Sequence, residues 1–444
     1  MAPRSTLSYN RHALTILHLV IALLISFITP SSSHAEVNQA NQASQGSPRE
    51  VKGKLLIIGG ALRYDNQDVW QRLVAEAGGA NATIAVIPTA SANPTKTGNL
   101  VVENLKSYGA QAFLVPLSER LRDKDGKSTL EQIINDPQWV EKVKHATGIY
   151  LTGGDQNRIT RALYTKEGKR TPLLEAMWEM YQGGGIIAGT SAGAAIMSET
   201  MFTEAGSVLQ TLQQGAQFGR EYGTGLGFIG PGILVDQHLI IRGRFARMLP
   251  VMQVTKNPLG LGIDENTAML IDQQRRMEVI GYKGAIVIEM ESKKTKVSSN
   301  SVTSGQAFAA SDIRIHYLSH GDQLDLKTYQ ITPAPDKQLL TATQSEEADQ
   351  QMEMTSNILA NTAVVELMSQ LIESPAQEMI GMAFDADPKA TSDWGFRMRF
   401  QKTPNSKGYF SSKTGMEAFT VIGLKLDVTP VKVRRPLFQE AKKR

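Results

Sequence analysis

Gly185-Ile186-Ile187-Ala188-Gly189-Thr190-Ser191-Ala192-Gly193 decides how this sequence is read. A short apolar run enters Gly-x-Ser-x-Gly and leaves into small residues that open a helix, the pattern of a nucleophile elbow. In such a turn a serine sits between strand and helix with its hydroxyl exposed. Small neighbours at Gly189, Ala192 and Gly193 are needed because the tight turn leaves no room for side chains. The amide of Ala192 then faces a developing oxyanion. An ordinary glycine-rich turn carries the same letters, so the reading depends on finding a base and an acid for Ser191.

Outward from the elbow, Leu55–Ile58, Ile84–Ile87, Phe113–Leu117 and Ile149–Thr152 are further near-continuous apolar runs ending in Gly, Pro or Thr. Helical-length polar-periodic segments separate them. Fully apolar strands alternating with helices predict an α/β fold, a parallel sheet flanked by helices, whose reactive groups collect at the strands' carboxyl ends. Gly59-Gly60 invites a dinucleotide-binding reading, but Gly-x-Gly-x-x-Gly is absent. Beyond Gly281 strands dominate: Ala285–Met290, Ile313–Leu318 and Gln323–Leu326. Thr332-Pro333-Ala334-Pro335-Asp336-Lys337 has linker composition. The remainder predicts a small C-terminal α+β appendage over 340–444, with a helix from Met352 to Ile372 and alternating strands at Phe396–Phe400 and Ile422–Val428. It carries no motif to which chemistry can be assigned.

The first 35 of 444 residues have the form of a signal peptide. Arg4 and Arg11 precede an apolar Ile16–Thr29 segment, and Ser33 and Ala35 stand where a signal peptidase reads, so cleavage is expected after Ala35 with export to a periplasm or the medium. An N-terminal membrane anchor is the competing reading, but the apolar core is short for a span. Residues 36–52 are polar and read as a disordered linker, leaving 53–332 for the catalytic domain. The signal holds two arginines and no acid, so the formal charge of +4 falls to +2 in the mature chain. That is no footprint for nucleic acid or membrane. The absence of cysteine excludes a thiol nucleophile and a cysteine zinc site.

A serine hydroxyl needs a base, and the base an orienting acid. Of the four histidines left after processing, His145 closes a helix, His316 is mid-strand and His320 lies in a Gly-Asp turn. His238, in Val235-Asp236-Gln237-His238-Leu239-Ile240-Ile241-Arg242-Gly243-Arg244, follows a strand in the same βα pattern as Ser191. In Gly262-Ile263-Asp264-Glu265-Asn266, either Asp264 or Glu265 has the chemistry to orient it, although a turn aspartate commonly binds backbone instead. Thr152-Gly153-Gly154-Asp155-Gln156 ends the strand before the elbow. Its amides, Gly154 among them, would complete an oxyanion hole with Ala192, while Asp155 and Gln156 would meet substrate, Asp155 also serving as a helix cap. Arg242 and Arg244 suit a substrate carboxylate, or are simply a surface pair.

Together and in this order, Thr152–Gln156, Gly189–Ala194, Asp236–Arg244 and Gly262–Ala268 resemble the cyanophycinase branch of serine peptidase family S51 over roughly residues 53–330. The resemblance implies a class-I-glutamine-amidotransferase-like core with Ser191 as nucleophile, His238 as base and Glu265 as acid. It places Gln156, Asp236, Arg242 and Arg244 on the aspartate backbone of a polymer, with Asp155 and Gln237 beside them. It further implies hydrolysis of cyanophycin, or of other aspartyl peptides, to β-Asp-Arg dipeptides through an acyl-enzyme, with no cofactor and no metal. The signal and the appendage depart from compact members and leave the oligomeric state open, a homodimer included. An aspartyl dipeptidase of the same family, a secreted esterase and a non-catalytic polymer-binding protein are the alternatives. The order Ser…His…Glu disfavours the esterase.

Overall fold

In β1 (Lys54–Ile58), Leu55, Leu56, Ile57 and Ile58 are all fully buried, alternate residues entering two different cores. A strand covered on both faces needs an apolar side chain at every position, which is why these runs show no alternation. The computed structural model describes residues 52–203, 206–291, 294–297, 307–340, 354–412 and 418–437. The expected signal segment, its cleavage point and the linker up to residue 51 lie outside the described residues.

β2 (Thr83–Ile87), β3 (Gln111–Leu114), β4 (Gly148–Leu151) and β5 (Ile186–Thr190) join β1 in the parallel order β1-β5-β4-β2-β3. β3 stops short of the expected Leu117 because Pro116 has no N–H to give the ladder. Helices Gln67–Glu76 and Pro94–Ser107 cover one face. Helices Pro137–Lys144, Gln156–Leu163 and Pro172–Gln182 cover the other. The fold is therefore mixed α/β with a parallel-containing sheet flanked by helices.

After a small hairpin of β6 (Thr200–Phe202) and β7 (Tyr222–Thr224), the chain departs from a single βα series. β8 (Ile233–Gln237) and β9 (Leu259–Ile263) pair in parallel at the end of a second sheet. Leu234 faces the outer core while Val235 and Ile263 pack into the core shared with the first sheet. β10 (Thr267–Ile271) and β11 (Arg276–Gly281) return to the first sheet as antiparallel strands beside β1. β12 (Ala285–Glu289), β13 (Lys296–Val297) and β14 (Ala310–Leu318) build the second sheet, while β15 (Gln323–Asp325) and β16 (Ile331–Thr332) finish the first.

The C-terminal region has both helix and strands. β17 (Gln338–Leu339), β18 (Met354–Thr355), β19 (Glu378–Phe384), β20 (Trp394–Gln401), β21 (Lys407–Ser411) and β22 (Ala418–Lys432) accompany helix Ala363–Glu373. The helix begins eleven residues later than Met352: Met354–Thr355 is strand, and Thr362 at φ 66 blocks extension. Rather than standing apart, these strands continue the second sheet, β22 pairing with β14, and share its core. The linker-like 332–337 segment is likewise pinned. Lys337 Nζ is buried 2.8 Å from Asp322 and donates to Ser319 and Thr420.

Candidate active site

Ser191 stands between β5 and the short helix Ala192–Ala195 at φ 53, ψ −108, a conformation that costs a non-glycine residue about 1–3 kcal/mol. Burying the four apolar side chains of β1 alone contributes roughly 6–12 kcal/mol, so the sheet can hold that strain. The restraint has a definite source. Three consecutive carbonyls at the end of β1 accept amides from three separate loops: Ile58 O from Ser191 (3.0 Å), Gly59 O from His238 (2.9 Å) and Gly60 O from Asn266 (2.8 Å). Each of those three residues has a positive φ.

The result is a continuous hydrogen-bonded chain. Ser191 Oγ lies 2.8 Å from His238 Nε2, and His238 Nδ1 lies 2.6 Å from Glu265 Oε1. With the Nδ1 proton donated to the carboxylate, Nε2 is the lone pair that accepts from the serine hydroxyl. Burial pushes the His238 pKa below the ordinary imidazole range, and the charges of Arg242 and Arg244 add to this, against the hydrogen bond and charge of Glu265. The ring is therefore neutral, and competent as a base, at neutral pH. Gly60, at φ +114, makes room for it: a methyl there would sit 2.2 Å from the imidazole.

The two candidate acids divide cleanly. Asp264 turns away from the ring, accepting from the amides of Ile240 (3.2 Å) and Ile241 (3.1 Å) and pairing with Lys283 at 3.0 Å. It holds the turn that carries His238. The other histidines are engaged elsewhere: His145 with Glu141, His316 with Glu289 and the Gly423 amide, and His320 with the Gly281 amide. The Ala192 amide opens its helix and so has no intrahelical acceptor. Gly153 lies against Ser191, where an added Cβ would stand 3.2 Å from the serine Cβ. The next residue, Gly154, has φ +141, where any side chain would strike the Ala90 carbonyl, and no acceptor for its amide occurs among the described residues. A free amide at Ala192, next to an activated hydroxyl, is equipped for acyl transfer.

A model described as Peptidase family S51 matches residues 55–279, half of the chain. The chain belongs to peptidase family S51. It is 32% identical over 283 residues to the cyanophycinase of Geminocystis herdmanii, covering 63% of this chain and 96% of that protein. To the cyanophycinase of a Nostoc species it is 30% identical over 298 residues, covering 67% and 93%. A solved peptidase from an acI-B1 actinobacterium aligns at 20% identity over 63% of this chain and 98% of that one, with a TM-score of 0.43.

Around the triad of this S51 peptidase, the expected substrate contacts fall into two groups. Arg242 is exposed and free of ion pairs among the described residues. Arg244 is half-buried, its guanidinium donating to the carbonyl and side chain of Gln237. Burial lowers the Arg244 pKa to about 10, which leaves it cationic at neutral pH. Asp236, by contrast, is withdrawn from solvent into a bidentate pair with Arg247, both bonds 2.7 Å, beneath the Phe202 ring. A carboxylate so committed supports the site rather than lining it. Gln156 gives its amide to the Phe202 and Thr203 carbonyls, and Asp155 caps its helix at the Asn157 amide. Sequence reasoning overlooked Arg247 and gave Gly60 no role beside the base. The signal for Arg247 was its position three residues beyond Arg244 on one helical face.

Proposed function

We propose that this S51 peptidase is a cyanophycinase that hydrolyses aspartyl bonds of the cyanophycin backbone and releases β-Asp-Arg dipeptides. The observation that carries the reading is the 2.8 Å and 2.6 Å chain Ser191–His238–Glu265 in a chain about 30% identical to proteins of that name.

In this mechanism Ser191 Oγ attacks the scissile carbonyl carbon while His238 Nε2 takes the hydroxyl proton. Glu265 stabilises the imidazolium through Nδ1. The oxyanion receives the amides of Ala192 and Gly154. As the C–N bond breaks, the imidazolium returns its proton to the leaving amine, and the acyl group remains on Ser191. Water then attacks the ester, His238 accepts its proton, and Ser191 leaves with that proton. Arg242 and Arg244 attract the substrate's carboxylates, with Gln237 fixing the Arg244 guanidinium. Asp155 and Gln156 border the same turn as the Gly154 amide.

We infer in addition that the chain is exported after cleavage at Ala35 and digests polymer from outside the cell. Amino-terminal sequencing of the secreted protein tests this. For the reaction, purified enzyme is incubated with insoluble cyanophycin and the products are identified by mass spectrometry. The expected outcome is clearing with β-Asp-Arg as product, abolished by Ser191→Ala and by His238→Ala. Wild-type clearing by Ser191→Ala, or hydrolysis of Asp-X dipeptides in preference to polymer, would sink the reading.

A further inference from the structure

Two loops hang on the residue that follows the proposed catalytic acid. Asn266 Oδ1 accepts from the Arg63 amide (3.1 Å) and from Asn66 Nδ2 (3.0 Å), while its carbonyl accepts from the Tyr282 amide (3.4 Å). Asn266 itself is fixed to Gly60 O, so these loops share the anchorage of the triad. On them, Tyr64 and Tyr282 are 48% and 49% exposed, an unusual outlay of aromatic surface on loops tied to the triad's support. Tyr64 is held in place. Its ring stacks on buried Trp70 at 6.4 Å, its carbonyl accepts from Tyr108 Oη (3.0 Å), and Trp70 Nε1 donates to the Arg63 carbonyl (2.9 Å). Arg63 and Asp65 flank Tyr64 in the chain, paired with each other through bonds of 2.9 and 2.7 Å at the surface, with Tyr282 close enough to Arg63 to feel its charge.

We propose that Arg63, Tyr64, Asp65 and Tyr282 form a rim subsite for an arginyl group of the polymer at a repeat away from the scissile bond. This rests on the cyanophycin reading above. Each such group offers a planar guanidinium and a free carboxylate. Aromatic faces bind the first and Arg63 binds the second in bidentate fashion, while Asp65 supplies a counter-charge for the guanidinium. An exposed ion pair contributes little in water, so Arg63 and Asp65 can exchange partners at small cost when the polymer arrives. A free aspartyl peptide has no guanidinium and gains nothing from this rim.

Steady-state kinetics on soluble cyanophycin test the rim. Tyr64→Ala/Tyr282→Ala should raise KM about tenfold with kcat unchanged, the mark of binding lost equally from ground and transition states. Tyr64→Phe/Tyr282→Phe keeps both ring faces and should retain wild-type KM. Arg63→Gln/Asp65→Asn leaves the aromatic packing intact and should raise KM about threefold, which keeps the test valid if the alanine pair does not fold. Failure of the wild type to turn over cyanophycin refutes both the function and the rim. Turnover with unchanged KM in the alanine and charge variants, or a loss confined to kcat, overturns the rim alone.

Discussion

Replacing Gly60 by alanine tests whether β1 makes the space in which the base works. The added methyl would stand 2.2 Å from His238 Cε1 and 2.4 Å from Nε2. Non-bonded carbon contacts settle at about 3.5 Å or more, so the ring has to retreat by roughly 1 Å. The Ser191–His238 hydrogen bond starts at 2.8 Å. A retreat of that size carries it past the useful range for proton transfer, and such misplacement costs on the order of 100-fold in rate. Backbone strain for alanine at φ +114 adds about 1–3 kcal/mol of destabilisation, which appears as a lower Tm. Gly79→Ala separates the two effects, since Gly79 also has a positive φ but nothing within 4 Å of the new methyl. The control should lose stability and keep kcat. The assay is initial-rate hydrolysis of soluble cyanophycin on variants first checked for a cooperative thermal transition. Wild-type kcat in folded Gly60→Ala would refute the argument.

The acid limb of the kcat/KM profile should have its midpoint below the ordinary imidazole value of about 6.5, because burial above all disfavours the imidazolium of His238. Arg242→Gln removes a charge that lowers this pKa, so the midpoint should move up; an unmoved or lower midpoint counts against the assignment of His238 as base. Lys337→Met strips the cation from Asp322, whose side chain is fully buried, and should cost about 3–5 kcal/mol in chemical denaturation. An unchanged denaturation midpoint would mean that the 332–337 segment is a passive linker after all.

Much of the fold was legible because its signals are local. Continuous apolar runs at Leu55–Ile58 and Ile186–Ala188 could only be strands covered on both faces. The small residues around Ser191 announced a turn too tight for side chains. What stayed hidden depends on partners far away in the chain. Val235 reads like any other buried strand residue, and only the contacts between β8 and β9 show that its strand belongs to the second sheet. Asp236 beside His238 had the chemistry of a substrate contact, but a guanidinium eleven residues on claims both of its oxygens. Asp264 and Glu265 are adjacent carboxylates of equal chemical promise. They fall in the turn between β9 and β10, where only the folded chain decides that Glu265 reaches the imidazole and Asp264 the backbone amides of Ile240 and Ile241. Gly59-Gly60 lacks the dinucleotide fingerprint, and a glycine pair does not say what it makes room for; at Gly60 that is the His238 ring.

The three neighbouring carbonyls of Ile58, Gly59 and Gly60 also govern how the centre fluctuates. Loops tethered to separate supports drift independently, and their relative errors accumulate at the point of proton transfer. Here a displacement of one short strand end carries the serine turn, the histidine turn and the Asn266 loop in the same direction. Such common-mode motion cancels in the distances that matter. Precision at the reacting atoms therefore needs a stiff junction of three residues rather than a rigid protein, and the loops beyond it are free to lengthen or change sequence without detuning the chemistry.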